Sequence, residues 1–205
     1  MLPVGQQLPL VYLARHGETE WSLTGQHTGL SDIALTRNGE QQALKLGKRL
    51  AGLEFAKVYS SPLQRAKHTC ELAGFGAQVE LLDNLSEWHY GAYEGITTKD
   101  ILKDRPDFKP FRDGFPEGEA VEEIGARAEL VVELIKSIQS KNQTSNILIF
   151  SHGHMLRFLA AKFLYLASSD ARIFNLATAS VSILGYDHGL TDPVIKLWND
   201  ASHCQ

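Results

Sequence analysis

The chain has 205 residues, 43% of them hydrophobic and 21% charged, with a formal net charge of -4 at neutral pH. That length fits one core, and the acidic balance argues against a nucleic-acid or membrane-surface partner for the surface as a whole. No apolar run reaches the ~18 to 20 residues of a membrane span, the start lacks the basic segment and cleavage site of a secretory leader, and Cys70 and Cys204 show no disulfide or metal spacing, so a cytoplasmic chain with two free thiols is expected.

Residues 1 to 8 read as a lead-in. An apolar run, Leu10 to Ala14, then stops in Arg15-His16-Gly17-Glu18-Thr19, which puts a cation, an imidazole and a glycine at the end of a buried strand. Glu20 to Leu35, with Gly25, Gly29, Ser31 and Asp32, shows no helical period and is expected to form a loop over that end. From Thr36 the pattern turns helical, with Ala43, Leu46, Leu50 and Leu53 on one face. A strand near Ala56 to Ser60 follows. Ser61 reads as an N-cap and Pro62 as the first position of a helix reaching about Ala73, with Arg65 in its first turn.

After a short strand around Gln78 to Leu82, the stretch from Leu85 to Glu119 holds Trp88, Tyr90, Tyr93, Phe108, Phe111 and Phe115, broken by Pro106, Pro110 and Pro116. It has no long period and reads as an insertion, residues 86–118, that walls a substrate pocket. Val121, Ile124, Ala128, Val131, Ile135 and Ile138 then mark an amphipathic helix. Asn146 to Phe150 is a strand that runs into Ser151-His152-Gly153-His154 and a helix from Met155 to Tyr165. In the tail, Phe174 to Ala177, Val181 to Tyr186 and Val194 to Trp198 are short and β-rich, the last two forming a hairpin at the sheet edge.

The alternation of strands and helices predicts one α/β domain over residues 1–205, three layers deep, with a mostly parallel central sheet flanked by helices. Ligands of such sheets sit beyond the carboxyl ends of the strands. Three strand ends there offer Arg15 and His16, Arg65, and His152. Two guanidiniums, two imidazoles and the free N–H groups of two helix starts suit a tetrahedral oxyanion, with phosphate its natural occupant. Phosphoryl transfer needs a nucleophile, charge neutralisation and an acid for the leaving oxygen. His16 is the candidate nucleophile, Arg15 and Arg65 are candidate clamps, and His152 completes the pocket. Glu87, beside Trp88, is the candidate acid, with burial expected to keep it protonated. Glu94 and Glu18 are rivals, expected to hold a loop and to orient backbone or a histidine. No zinc-ligand spacing, acidic metal motif or P-loop occurs, so no metal and no cofactor is expected.

The runs RHGET, SPLQRAKHT, LSEWHYGAYEG and SHGH, in that order between residues 11 and 158, resemble the signature of the histidine phosphatase superfamily, the phosphoglycerate-mutase-like fold. The resemblance implies a phosphohistidine on His16, with Glu87 as acid in the first half-reaction and base in the second, and a loop-supporting role for His154. Cofactor-dependent mutases of the family usually carry an asparagine where this chain has Ser22, and a basic residue where it has Trp88. The pieces RHGETEWSLTGQHTGLSD, LSEWHYGAYEG, FRDGFPEGE and FSHGHMLRFLAA are more similar to a sugar bisphosphatase branch, typified by a fungal sedoheptulose bisphosphatase. His27 replaces the aromatic of that branch.

The branch implies a metal-independent phosphomonoesterase acting on a small phosphorylated molecule, most simply a sugar bisphosphate. Arg157 is the candidate for the distal phosphate, supported by Gln26 and His27; the other reading of Arg157 is a helix arginine paired with an acid. Ser22, Thr28, Gly29 and Gly153 complete the candidate binding residues, with Thr28 and Gly29 offered as donors to the transferred phosphate. A phosphoglycerate mutase, a phosphoprotein phosphatase and a non-catalytic phospholigand-binding domain remain alternatives, and a monomer or homodimer is expected.

Overall fold

A computed structural model describes residues 8–142 and 144–205, so the expected lead-in up to residue 7 lies outside the described residues. Thirteen longer elements follow in the order β1 (Val11–Arg15), α1 (Glu20–Thr24), α2 (Arg37–Leu50), β2 (Lys57–Ser60), α3 (Gln64–Leu72), β3 (Val79–Leu81), α4 (Thr98–Asp104), α5 (Pro110–Asp113), α6 (Val121–Lys141), β4 (Ile147–Ser151), α7 (Gly153–Phe163), β5 (Val181–Tyr186) and β6 (Pro193–Asp200). The six strands form one sheet in the order β3-β2-β4-β1-β5-β6. β1, β2, β3 and β4 run parallel, while β5 pairs antiparallel with both β1 and β6. The domain is therefore a mostly parallel α/β sandwich whose tail hairpin closes one edge, as the sequence predicts.

Side chains alternate across a strand, and this sheet uses both faces. Val11, Leu13, Tyr59, Ile147 and Ile149 point into a core completed by α6 and α7. Tyr12, Ala14, Val58, Leu148 and Phe150 point the other way, onto Leu46 and Leu50 of α2 and Cys70 of α3. Ile147 to Phe150 are all fully buried, which is why that strand reads as an unbroken apolar run. Both cysteines are unpaired. Among the described residues no helix is long and apolar enough to cross a membrane.

Four local expectations change. Glu20 to Leu35 is not all loop: Thr19 caps the five-residue α1 by accepting from Ser22 N, while Ser22 Oγ accepts from Thr19 N, a reciprocal box too short to give a period. α3 starts at Gln64, two residues after Pro62, with Leu63 in the capping position, and the Ser61 hydroxyl meets both Leu63 N and His152 Nε2. Residues 86–118 contain α4 and α5 besides one 3-10 turn. Phe174 to Ala177 is not a strand: Ala177 N donates to Asn199 Oδ1 and Asn175 O accepts from Trp198 Nε1, so the segment is tied across the end of β6 by side chains.

Candidate active site

The parallel pairing sets Arg15 of β1 level with Ser151 of β4, and His16 N donates to Ser151 O (2.9 Å), so the ends of the two strands are locked side by side. Gly17 follows because nothing larger fits: a Cβ there would lie 2.5 Å from Gly39 O at the start of α2. Gly17 N donates to Thr69 Oγ1, and Thr69 Oγ1 donates back to Arg65 O, which ties the first motif to α3.

His16 is 4% exposed, and its Nδ1 lies 2.7 Å from Gly17 O. A carbonyl only accepts, so Nδ1 carries the proton and Nε2 keeps its lone pair. Burial, with the Arg15 and Arg65 cations adding to it, holds the imidazole well below its ordinary 6.5. His16 is thus a neutral imidazole in the tautomer that leaves Nε2 free. The His152 ring stands 5.2 Å away, centroid to centroid. It too is fully buried and held neutral by burial and then by Arg65, with Nε2 against Ser61 Oγ (2.7 Å) and Nδ1 unpartnered.

Arg15 donates to Leu176 O (2.5 Å), and its Nε has no partner. Arg65 is fully buried and differs from expectation. Its two terminal nitrogens donate to Ser31 O, Thr28 O and Gly29 O (2.8 to 3.1 Å), so the fork is spent on the 28–31 loop and only Nε is left without a partner.

Four amides at the two helix starts are also already taken. Leu63 N and Gln64 N donate to Ser61 Oγ and Asp32 Oδ1. At α7, His154 N (3.0 Å) and Met155 N (2.9 Å) donate to the Glu87 carboxylate, which takes a third bond from Trp88 N (2.9 Å). The group on the start of α7 is therefore the protein's own side chain, 5% exposed and 67 residues away in the chain. Three incoming N–H groups, two on Oε1 and one on Oε2, fix the direction of the Glu87 carboxyl group. The rivals fall into structural places. Glu94 accepts from Gly29 N and Ser31 N, and Glu18 from Thr36 Oγ1 and Asn38 Nδ2 at the start of α2.

A cavity of about 260 Å³ opens over these groups, bounded by Arg15, His16, Ser22, Gln26, His27, Thr28, Glu87, Gly153 and Arg157. Gly153 faces Arg15, whose Cζ would lie 3.4 Å from a Cβ there. Arg65, His152 and Gly29 do not reach the lining. Gly29 is corrected as a donor: its N–H is taken by Glu94 (2.8 Å). Ser22 lines the cavity with a hydroxyl already committed to the α1 cap.

His27 is also corrected, as part of a cationic patch. Burial pushes it down to about 4, its Nε2 meets Thr98 Oγ1 (3.2 Å), and its ring packs on Tyr90 and Phe115. Gln26 spans Gly95 O and Thr24 Oγ1. Thr28 Oγ1 turns back to Gln26 O. Arg157 donates through Nε to Ala171 O (3.0 Å) and through one terminal nitrogen to Arg172 O (2.8 Å), and stacks 4.4 Å over Phe111. No ion pair to it occurs among the described residues, so the acid-paired reading fails; burial lowers it only to about 10, and it stays charged.

Sequence reasoning missed Trp21, Gly25, Asn175 and Leu176 as cavity residues, while Tyr90 and Thr98 fall in the stretch expected to wall the pocket. Tyr90 OH lies 2.6 Å from His154 Nδ1, with both groups buried and burial raising the phenol and lowering the imidazole, so the phenol donates. Tyr90 and His154 carry one signal, their place in aromatic-rich motifs. Asn175 and Leu176 carry none.

The four neutral histidines here, His16, His27, His152 and His154, predict a pH-dependent stability. Above about pH 6.5 both folded and unfolded chains hold them neutral, so their contribution is fully present. As the pH falls below that value the unfolded chain binds protons the folded chain refuses, and stability drops by up to ~1.4 kcal/mol per pH unit for each histidine until its folded value is reached. The urea midpoint is expected to be lower at pH 5 than at pH 7.5; equal midpoints would show that these rings protonate freely in the folded protein.

Motif order, sheet topology and the geometry of the strand ends all point to one class, and the chain belongs to the histidine phosphatase superfamily, branch 1, whose profile matches residues 11–201. It is on that ground an enzyme of the phosphomonoesterase class, acting on small phosphorylated substrates. It is 38% identical over 180 residues to an acid phosphatase of Mycobacterium tuberculosis, covering 87% of each chain. It is 35% identical over 181 residues to sedoheptulose 1,7-bisphosphatase of Saccharomyces cerevisiae, covering 75% of this chain and 66% of that enzyme. A solved open reading frame from Mycobacterium tuberculosis superimposes with a TM-score of 0.85 at 33% identity, over 95% of this chain and all of the other.

Proposed function

We propose that the protein hydrolyses a phosphate monoester of a small metabolite through a phosphohistidine on His16, and that the substrate is a sugar bisphosphate. The observation that carries the chemistry is the tautomer of His16: a neutral ring whose Nδ1 proton is fixed on Gly17 O and whose Nε2 is free to attack phosphorus. Arg15 and the buried charge of Arg65 balance the equatorial oxygens, with His152 beside them. Glu87 enters the first half-reaction as the carboxylic acid and gives its proton to the leaving oxygen; the carboxylate so formed takes a proton from the attacking water in the second half-reaction, which restores the acid. Residues 86–118 serve this site as an insertion, contributing Glu87, Tyr90 and Thr98 to the cavity wall. The ring-lined wall favours a small molecule over an extended phosphopeptide.

The bisphosphate reading rests on Arg157, a cavity cation with no carboxylate partner among the described residues and an unspent terminal nitrogen. Gln26 and Thr98 supply neutral polar edges of the kind sugar hydroxyls use. Phosphate release across sugar bisphosphates, sugar monophosphates, 3-phosphoglycerate and a phosphopeptide tests it. Arg157→Ala is expected to lower kcat/KM for the preferred bisphosphate by about 10- to 100-fold, the scale of a lost charge-assisted hydrogen bond, and to leave monophosphates within a few-fold. Equal losses on both classes would remove the distal site.

A further inference from the structure

Glu87 touches the start of α7 on one side; on the other, its backbone is bonded by a guanidinium that belongs to an ion pair. Arg127, on α6, donates through Nε to Glu119 Oε1 (2.9 Å) and through a terminal nitrogen to Glu119 Oε2 (2.7 Å), a two-pronged pair with side chains only 18% and 16% exposed. The same guanidinium donates to Asn84 O (2.9 Å), Ser86 O (2.6 Å) and Glu87 O (3.3 Å). Glu119 in turn accepts from His89 N (3.4 Å), and its carbonyl takes the indole N–H of Trp88 (2.8 Å).

Carbonyls 84, 86 and 87 have no strand or helix partner, so the guanidinium is their donor, and it spans the residues on both sides of the Glu87 side chain. Only a rigid five-donor fork, kept charged and oriented by its carboxylate, makes all these bonds at once. We infer that Arg127, oriented by Glu119, is the positioning residue for Glu87: it sets the height and direction of the carboxyl group relative to the leaving oxygen and takes no part in binding phosphate or in the attack by His16. The inference rests on the acid–base reading of Glu87.

A positioning role of this kind predicts a selective defect. Leaving-group protonation matters for an alkyl ester and little for p-nitrophenyl phosphate, whose phenolate departs unaided. Arg127→Met is expected to lower kcat/KM on a sugar phosphate by about 10- to 100-fold, the scale for a displaced catalytic group, while kcat/KM on p-nitrophenyl phosphate stays within about three-fold; kcat/KM reports phosphorylation of His16 alone, so the later hydrolysis common to both substrates does not enter. In a Glu87→Gln background, Arg127→Met should slow the sugar phosphate no further, because the two changes remove one function.

Equal losses on the two substrates, or losses that multiply in the double variant, would overturn the inference. A Glu87→Gln enzyme with no alkyl-selective defect would instead overturn the acid–base reading itself. Should Arg127→Met fail to fold, Arg127→Lys and Glu119→Gln decide by the same comparison. Lysine keeps the charge but reaches fewer carbonyls, and glutamine leaves the fork unoriented, so each should show a smaller alkyl-selective defect.

Discussion

Replacing His16 with alanine is expected to lower turnover by at least ~10³-fold, the scale on which enzymes lose a covalent nucleophile, and to abolish phosphoenzyme formation. The reason lies in what else the cavity contains. Its lining offers Ser22, whose hydroxyl is committed to the α1 cap, and Thr28, whose hydroxyl turns back to a carbonyl. Cys70 is fully buried on the opposite face of the sheet, and burial pushes its thiol up to about 12. His152 stands 5.2 Å from His16, but its Nε2 is occupied by Ser61. None of these groups is placed to take over the attack. Rapid quenching of the wild-type enzyme with radiolabelled substrate should trap an alkali-stable, acid-labile label that is missing in His16→Ala. A variant that still turns over near the normal rate, or still labels, would move the nucleophile elsewhere.

The parts of this site that could be read in the sequence are those in which a strand ends within its own motif. Leu10 to Ala14 followed by Arg15-His16-Gly17, and Asn146 to Phe150 followed by Ser151-His152-Gly153, each carry the buried run, the turn and the functional group in a few consecutive residues, so local chemistry and local structure agree. What could not be read depends on contacts between distant segments. That the amides of α7 are filled by Glu87, and that Arg65 spends its fork on residues 28–31, depend on partners 67 and 36 residues away. The neutrality of His27 follows from Tyr90 and Phe115 closing over it. Asn175 and Leu176 enter the cavity because Asn199 and Trp198 tie their segment across the sheet end, and nothing in Phe174 to Ala177 encodes that bond. α1, α4 and α5 were hidden for a simpler reason: at five, seven and four residues they are too short to show a period.

Glu87→Gln is expected to reduce kcat on alkyl phosphates by about 10²- to 10⁴-fold, the range for loss of a general acid–base, while inorganic phosphate still binds. The carboxylate receives Trp88 N and Met155 N on Oε1 and His154 N on Oε2. A glutamine can keep the first two on its carbonyl oxygen, but its NH₂ then faces the His154 N–H, and two donors cannot satisfy each other. The variant should therefore also lose about 1 to 3 kcal/mol of stability, the cost of a buried polar group left unpaired. The two losses separate in measurement: thermal or urea unfolding reports the amide mismatch, and the ratio of alkyl to aryl phosphate kcat/KM reports the missing proton transfer to the leaving oxygen. Phosphate binding stays because Arg15, His16 and Gly153 border the cavity independently of Glu87. If alkyl phosphates are hydrolysed at near-normal rates by a variant that shows the expected drop in stability, Glu87 is a cap for α7 and nothing more. The proton must then come from the substrate or from water, and the start of α7 would be held by a structural anion, as the bonds to its first amides would suggest if they were considered alone.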